Sequence, residues 1–148
     1  MKTDVVDLKL GELPQDGPSI AVVAADAAST PAGRYRQAGR PGEPLPSGKP
    51  LVALVRSGVL STPDTIAVAD SSSDGNTFRL TLDVRRYIGP ISANVEREAI
   101  VQAELGALAA GHYVVIVTRT TREFQDLQHP EQAANPTSAE ERLEFDVR

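Results

Sequence analysis

At 148 residues the chain suits one domain, long enough to bury a sizeable core without a covalent staple. Apolar residues make up 41% of it but aromatics only 4%, with no Trp, so the core must be aliphatic and β-branched, a composition that favours strands. No Cys means no disulfide framework, no thiolate chemistry and no sulfur-ligated metal, and a net charge of -5 argues against a nucleic-acid partner.

The first strand signal is Val5 to Leu10, where Val6, Leu8 and Leu10 alternate with charged residues. Ile20 to Ala24 follows, entered through the turn residues Asp16-Gly17-Pro18. Residues 27–50 differ in texture: Pro31, Pro41, Pro44, Pro46 and Pro50 alternate with Gly33, Gly39, Gly42 and Gly48. That density predicts a long flexible loop or linker with partly extended conformers and no share in the core. Leu51 to Val55 is apolar on both faces, as a central strand is, and Ile66 and Val68 mark another short strand. Phe78, Leu80, Leu82 and Val84 then alternate with Arg79, Thr81, Asp83 and Arg85, a sustained period of two that no helix can turn into one apolar stripe.

Residues 96–110 are ambiguous. Glu96 to Leu105 is rich in helix formers, and a helix would place Val101, Leu105 and Leu108 on one face; a strand would turn Val101, Ala103 and Leu105 inward with Gln102 and Glu104 outward. The strand agrees with the neighbouring runs. Tyr113 to Val117 is again apolar on both faces, and Leu143, Phe145 and Val147 alternate with Glu144, Asp146 and Arg148 in a last strand. The whole chain, 1–148, thus reads as one all-β domain: an antiparallel β-sandwich of about seven to eight strands with a long Pro/Gly-rich loop.

In Val101 to Val117, a Leu, a turn with Gly and a Tyr opening the next strand follow one another as Leu108, Gly111 and Tyr113. This stretch resembles the corner between strands E and F of the immunoglobulin-like and fibronectin type III-like β-sandwich superfamily. The resemblance implies an immunoglobulin-like topology in which the Tyr113 hydroxyl bonds back to the preceding loop. It also implies roles in adhesion, spacing or partner binding, although fold alone does not fix function.

Candidate chemistry is sparse. Asp70, Ser72 and Asp74, followed by Gly75, copy the opening of a calcium loop, but Thr81 stands where a bidentate Glu is needed, and Ser-Asp-Gly-Asn is ordinary turn chemistry. His112 and His129 read as surface residues, no Gly-x-Ser-x-Gly elbow occurs, and the Gly42 to Lys49 stretch lacks phosphate-loop spacing. Paired carboxylates such as Glu140 and Glu141, or Glu96 and Glu98, look solvated. No residue set reads as catalytic, and no cofactor is implied. Tyr and Arg dominate binding hot spots, which singles out Arg34, Tyr35, Arg36 and Arg40 in the basic loop, and Arg86 and Tyr87 after the patterned strand, as the partner-binding candidates.

The amino terminus lacks an apolar leader run and no stretch reaches the length of a membrane span, so no membrane insertion is expected. The abundance of Thr, Ser, Asp and Gly resembles bacterial surface modules. The expectation is an extracytoplasmic module whose leader has been removed, or else a cytoplasmic one. Its function reads as non-catalytic binding of a protein partner through loops, against two alternatives: an enzyme or small-ligand binder using loops at one end of the sandwich, and an assembly subunit pairing through an edge strand.

Overall fold

The computed structural model describes residues 1–38, 42–90 and 95–148. In sheet A, β1 (Thr3–Lys9), β6 (Glu96–Ala107), β3 (Pro50–Ser61) and β2 (Ile20–Ala24) lie side by side in that order, all neighbours antiparallel. In sheet B the order is β4 (Thr65–Asp74), β5 (Thr77–Tyr87), β7 (Gly111–Phe124) and β8 (Ala134–Val147). The strands apolar on both faces, β3 and β7, are interior to their sheets, as their sequences require.

Alternation decides which side chains meet. Ile20, Val22, Leu51, Ala53, Val55, Val101, Ala103 and Leu105 of sheet A pack on Phe78, Leu80, Leu82, Tyr113, Val115, Val117, Phe145 and Val147 of sheet B. This is the interior of an all-β sandwich. Residues 96–107 are strand, with Val101, Ala103 and Leu105 turned inward as the strand pattern predicts. Their helix propensity loses because β1 and β3 hydrogen-bond them from both sides.

Two expectations are corrected. The sandwich is not antiparallel throughout, since β5 and β7 run parallel from Thr77↔Val114 to Tyr87↔Phe124. Parallel neighbours need a crossover, and β6, lying in the opposite sheet, supplies it where an α/β protein would use a helix. Nor is 27–50 a loop without structure or core contact: it contains the helix α1 (Pro31–Gln37). The Thr30 side chain accepts a hydrogen bond from the Gly33 amide, Pro31 opens the first turn, and Ala32 and Tyr35 fall one turn apart on the buried face. That face joins Leu13, Ala21, Val23, Val52, Leu54 and Ile100 in a second apolar cluster on the outer side of sheet A. Further along, Leu45 and Ser47 extend the end of β8 through Leu45 N to Asp146 O at 2.9 Å and Ser47 N to Arg148 O at 3.1 Å.

At the corner between β6 and β7 the chain passes from sheet A to sheet B. The Tyr113 hydroxyl donates to Ala109 O at 2.7 Å, its ring stacks on Phe78 and Phe145, and Leu108 packs against the same core. Gly111 is not needed for space, because a Cβ there would meet the Tyr113 ring at an ordinary 3.6 Å. Tyr113→Phe is expected to lower stability by about 1 kcal/mol, the net worth of one such bond, seen as a lower denaturation midpoint at unchanged slope.

Candidate functional site

A strand that reads Val55-Arg56-Ser57-Gly58-Val59 cannot stay in register with its neighbour: polar residues and a Gly interrupt an apolar run. In β3 the pairing slips between Arg56 and Val59, and Gly58 takes φ +77°. This bulge frees backbone groups that must find other partners. The Ser57 hydroxyl accepts from Ala99 N at 2.8 Å. Arg119 reaches across from β7 and donates to Ser57 O and Arg56 O, both at 2.7 Å, so one guanidinium ties sheet B to the irregular part of sheet A.

Beside the bulge lies a buried ion pair. Arg56 Nε and Nη2 donate to the two carboxylate oxygens of Glu98 at 2.8 and 2.9 Å, and the side chains are only 13% and 6% exposed. Hydrogen bonding to Glu98 pushes the Arg56 guanidinium above its ordinary value, against the opposing effect of burial. Its third nitrogen donates to Pro14 O and, at 3.3 Å, to the Tyr35 hydroxyl, and its charge sits 5.3 Å from the Tyr35 ring centroid.

These residues and the segment from Leu10 to Ser19 enclose an open cleft of about 670 Å³. The volume falls in the range of small-ligand sites. Gln15, Ser19, Arg56, Ser57, Glu98 and Arg119 contribute its polar lining; Leu10 and Val59, 49% and 48% exposed, contribute apolar walls beside the buried Leu13. On its margin Ser19 donates to Glu141, whose other oxygen lies 3.3 Å from Arg119 Nη2.

The partner-binding candidates are placed differently from expectation. Tyr35 is a core residue, 5% exposed, with its hydroxyl donating to Pro18 O at 2.6 Å. A Cβ at position 17 would collide with the Tyr35 hydroxyl, so Gly17 is what lets the ring in. Arg34 is tied to Ala25 O and to Gln102, and Arg36 to Glu12 O, so this trio fastens α1 to the body rather than standing free in a solvated loop. Arg40 lies outside the described residues. Arg86 is held loosely, at 3.4 Å from Val59 O and 3.5 Å from Asp64, which brings it next to the cleft. Tyr87 leans on Phe124 and donates to Pro90 O at 2.7 Å.

Asp70, Ser72 and Asp74 do not converge. They lie in β4, and alternate residues of a strand are roughly 7 Å apart, so the three form a row and not a cage. Gly75, at φ +59°, makes the turn into β5. His112 is exposed, as expected, with Nδ1 at 2.7 Å from Asp146 and Nε2 at 3.3 Å from Glu144. Asp146 first and Glu144 second raise its pKa above the ordinary value, so its contribution to stability is present below the unfolded-state pKa of about 6.5 and fades as pH rises through the raised folded value. Asp146→Asn is expected to move the His112 titration midpoint down, followed by the imidazole proton shifts; an unmoved midpoint would remove the carboxylate as the cause.

Sequence reasoning passed over Arg56 and Arg119, and its reading of Glu98 as a solvated carboxylate is corrected: the side chain is buried in β6, where Arg56 bonds both of its oxygens. The available signal was a charge on each of two strands otherwise buried, Arg56 after Leu51–Val55 and Glu98 before Ala99–Val101. Comparisons with protein-family models, with curated proteins and with solved structures find no match for this chain.

Proposed function

We propose that the chain is a non-catalytic interaction module, an immunoglobulin-like sandwich of a bacterial extracytoplasmic protein, that holds a protein partner in the cleft between the Leu10–Ser19 segment and the β3 bulge. The observation that carries the reading is the pairing of exposed aliphatic walls, Leu10 and Val59, with a polar floor in which Arg56 and Glu98 satisfy one another. Apolar surface left in water beside a polar floor suits a partner's side chain. Proton transfer suits it poorly, because among the described residues the buried carboxylate of the cleft, Glu98, is bound by two N–H groups of Arg56, and the cations that line it, Arg56 and Arg119, are guanidiniums. The tyrosine corner supports the immunoglobulin-like assignment, and the parallel β5–β7 pair departs from it. A second reading, assembly through an edge strand, is favoured by Leu45 and Ser47, which show β8 accepting an extended segment.

Titration of the isotope-labelled chain with a mixture of short peptides tests the main reading. Amide shifts are expected to concentrate at Leu10, Ser57, Gly58 and Val59 and to vanish in Val59→Asp. Shifts along β8 would favour the edge, and peptides consumed during the titration would favour an enzyme.

A further inference from the structure

The large aliphatic side chains left exposed among the described residues are Leu10, Val59, Ile88, Val95 and Leu127, the last two 67% and 58%. They gather at one end of the sandwich. In sheet A, Lys9 pairs with Arg97 and Ser61 with Glu96, so Leu10 beyond β1, Val59 near the end of β3 and Val95 before β6 lie on adjoining strand ends. The Thr62 hydroxyl fixes Val95 there, donating to its carbonyl and accepting from its amide. In sheet B, Tyr87 pairs with Phe124 and Ile88 N donates to Phe124 O at 2.9 Å, which sets Ile88 beside the turn that carries Leu127. Asp64 joins the two groups: it accepts from Tyr87 N at 2.9 Å and lies 3.5 Å from Arg86, whose guanidinium also reaches Val59 O. Single scattered aliphatics are ordinary on a protein surface, but a set confined to one end and continuous with the cleft at Leu10 and Val59 marks an interaction surface.

The same segments are acidic. Glu12 and Asp16 follow Leu10, Glu96 adjoins Val95, and Asp126 adjoins Leu127 with Glu131 beyond it, all exposed, against Lys9 and Arg86 as exposed cations and His129 held by Glu131. Arg56 and Arg97 do not offset this surplus, because their N–H groups already serve Glu98, Asp7 and backbone oxygens. Resting on the reading of this end as a protein-binding site, we propose that the whole surface, cleft included, takes a cationic segment of a partner chain that carries aliphatic residues between Lys or Arg. The aliphatic side chains lie on Leu10, Val59, Val95 and Leu127, and the cations meet the carboxylates beside them. Charge complementarity selects this occupant: an acidic segment or an anionic membrane would meet like charge around the rim.

Three probes test this by amide-shift titration at low salt: N-acetyl-Lys-Leu-Lys-Val-Lys-amide, its counterpart with Glu for Lys, and its counterpart with Ser for Leu and Val. The first is expected to move Ile88, Val95 and Leu127 as well as Leu10 and Val59, and to bind about tenfold tighter than the acidic peptide, the worth of a few exposed ion pairs. Added salt should shrink that margin. Glu96→Gln and Asp126→Asn, each checked for an unchanged melting temperature, are expected to weaken the cationic peptide about two- to fivefold apiece. Equal binding of the acidic peptide would overturn the cationic partner while leaving the interaction module standing. Equal binding of the Ser-containing peptide would overturn the aliphatic contacts, and shifts confined to Leu10 and Val59 would overturn the extended surface while sparing the cleft. Co-sedimentation with phosphatidylglycerol vesicles would replace the protein partner with a membrane. No shift with any probe would overturn the module reading itself.

Discussion

Glu98→Ala is expected to destabilise the fold by about 3–5 kcal/mol, a large share of what a domain of this size has to lose. The reason is the charge left behind: Arg56 keeps its proton at any ordinary pH, and without its bidentate partner it is a buried cation with only Pro14 O and a long contact to Tyr35. Taking both charges out together is a different experiment. Arg56→Met with Glu98→Leu should recover most of the loss, because two apolar side chains of similar volume need no desolvated ions to compensate each other. Urea titration of the three proteins decides the matter. A double variant as unstable as the single one would place the loss in packing instead of electrostatics.

Tyr35→Ala carries the second large effect, also about 3–5 kcal/mol, the cost of emptying an aromatic site in a packed cluster. The ring fills the space between α1 and sheet A, stands over Arg56, and anchors the Leu10–Ser19 segment through Pro18 O. Tyr35→Phe keeps the ring and should lose only about 1 kcal/mol. The contrast with a solvated Arg-Tyr-Arg loop is sharp, since an exposed tyrosine would change stability by about 0.5 kcal/mol or less in either variant. Because the same residue supports one wall of the cleft, Tyr35→Ala should also broaden the amide signals of residues 10–19 even where the protein stays folded.

How far the sequence could be read depended on whether the signal was local. Phe78 to Arg85 announces its strand and its buried face because alternation is a property of consecutive residues. Leu51–Val55 and Tyr113–Val117 announce central strands for the same reason, and Tyr113 its corner bond. Helix α1 was legible in principle: Thr30 before Pro31 is a capping residue before a first-turn proline, a signal outweighed by the surrounding Pro and Gly. The parallel alignment of β5 with β7 has no local signature, since it depends on where β6 goes. The cleft is hidden for the same reason. Glu98 is 42 residues from Arg56, and Arg119 bonds a carbonyl 63 residues away, so only register brings them together. What the sequence does show is an Arg, a Ser and a Gly closing an apolar run, a pattern better read as a bulge than as the end of a strand.

The route from β5 to β7 by way of the opposite sheet has a kinetic corollary. Sheet B joins β5 to β7 only across a segment that sheet A uses as β6, so the two layers are tied together through pairings distant in sequence. Refolding should therefore be a single slow event dominated by distant pairings, and a fragment ending before residue 96 should remain an unstructured chain and not a half-built layer.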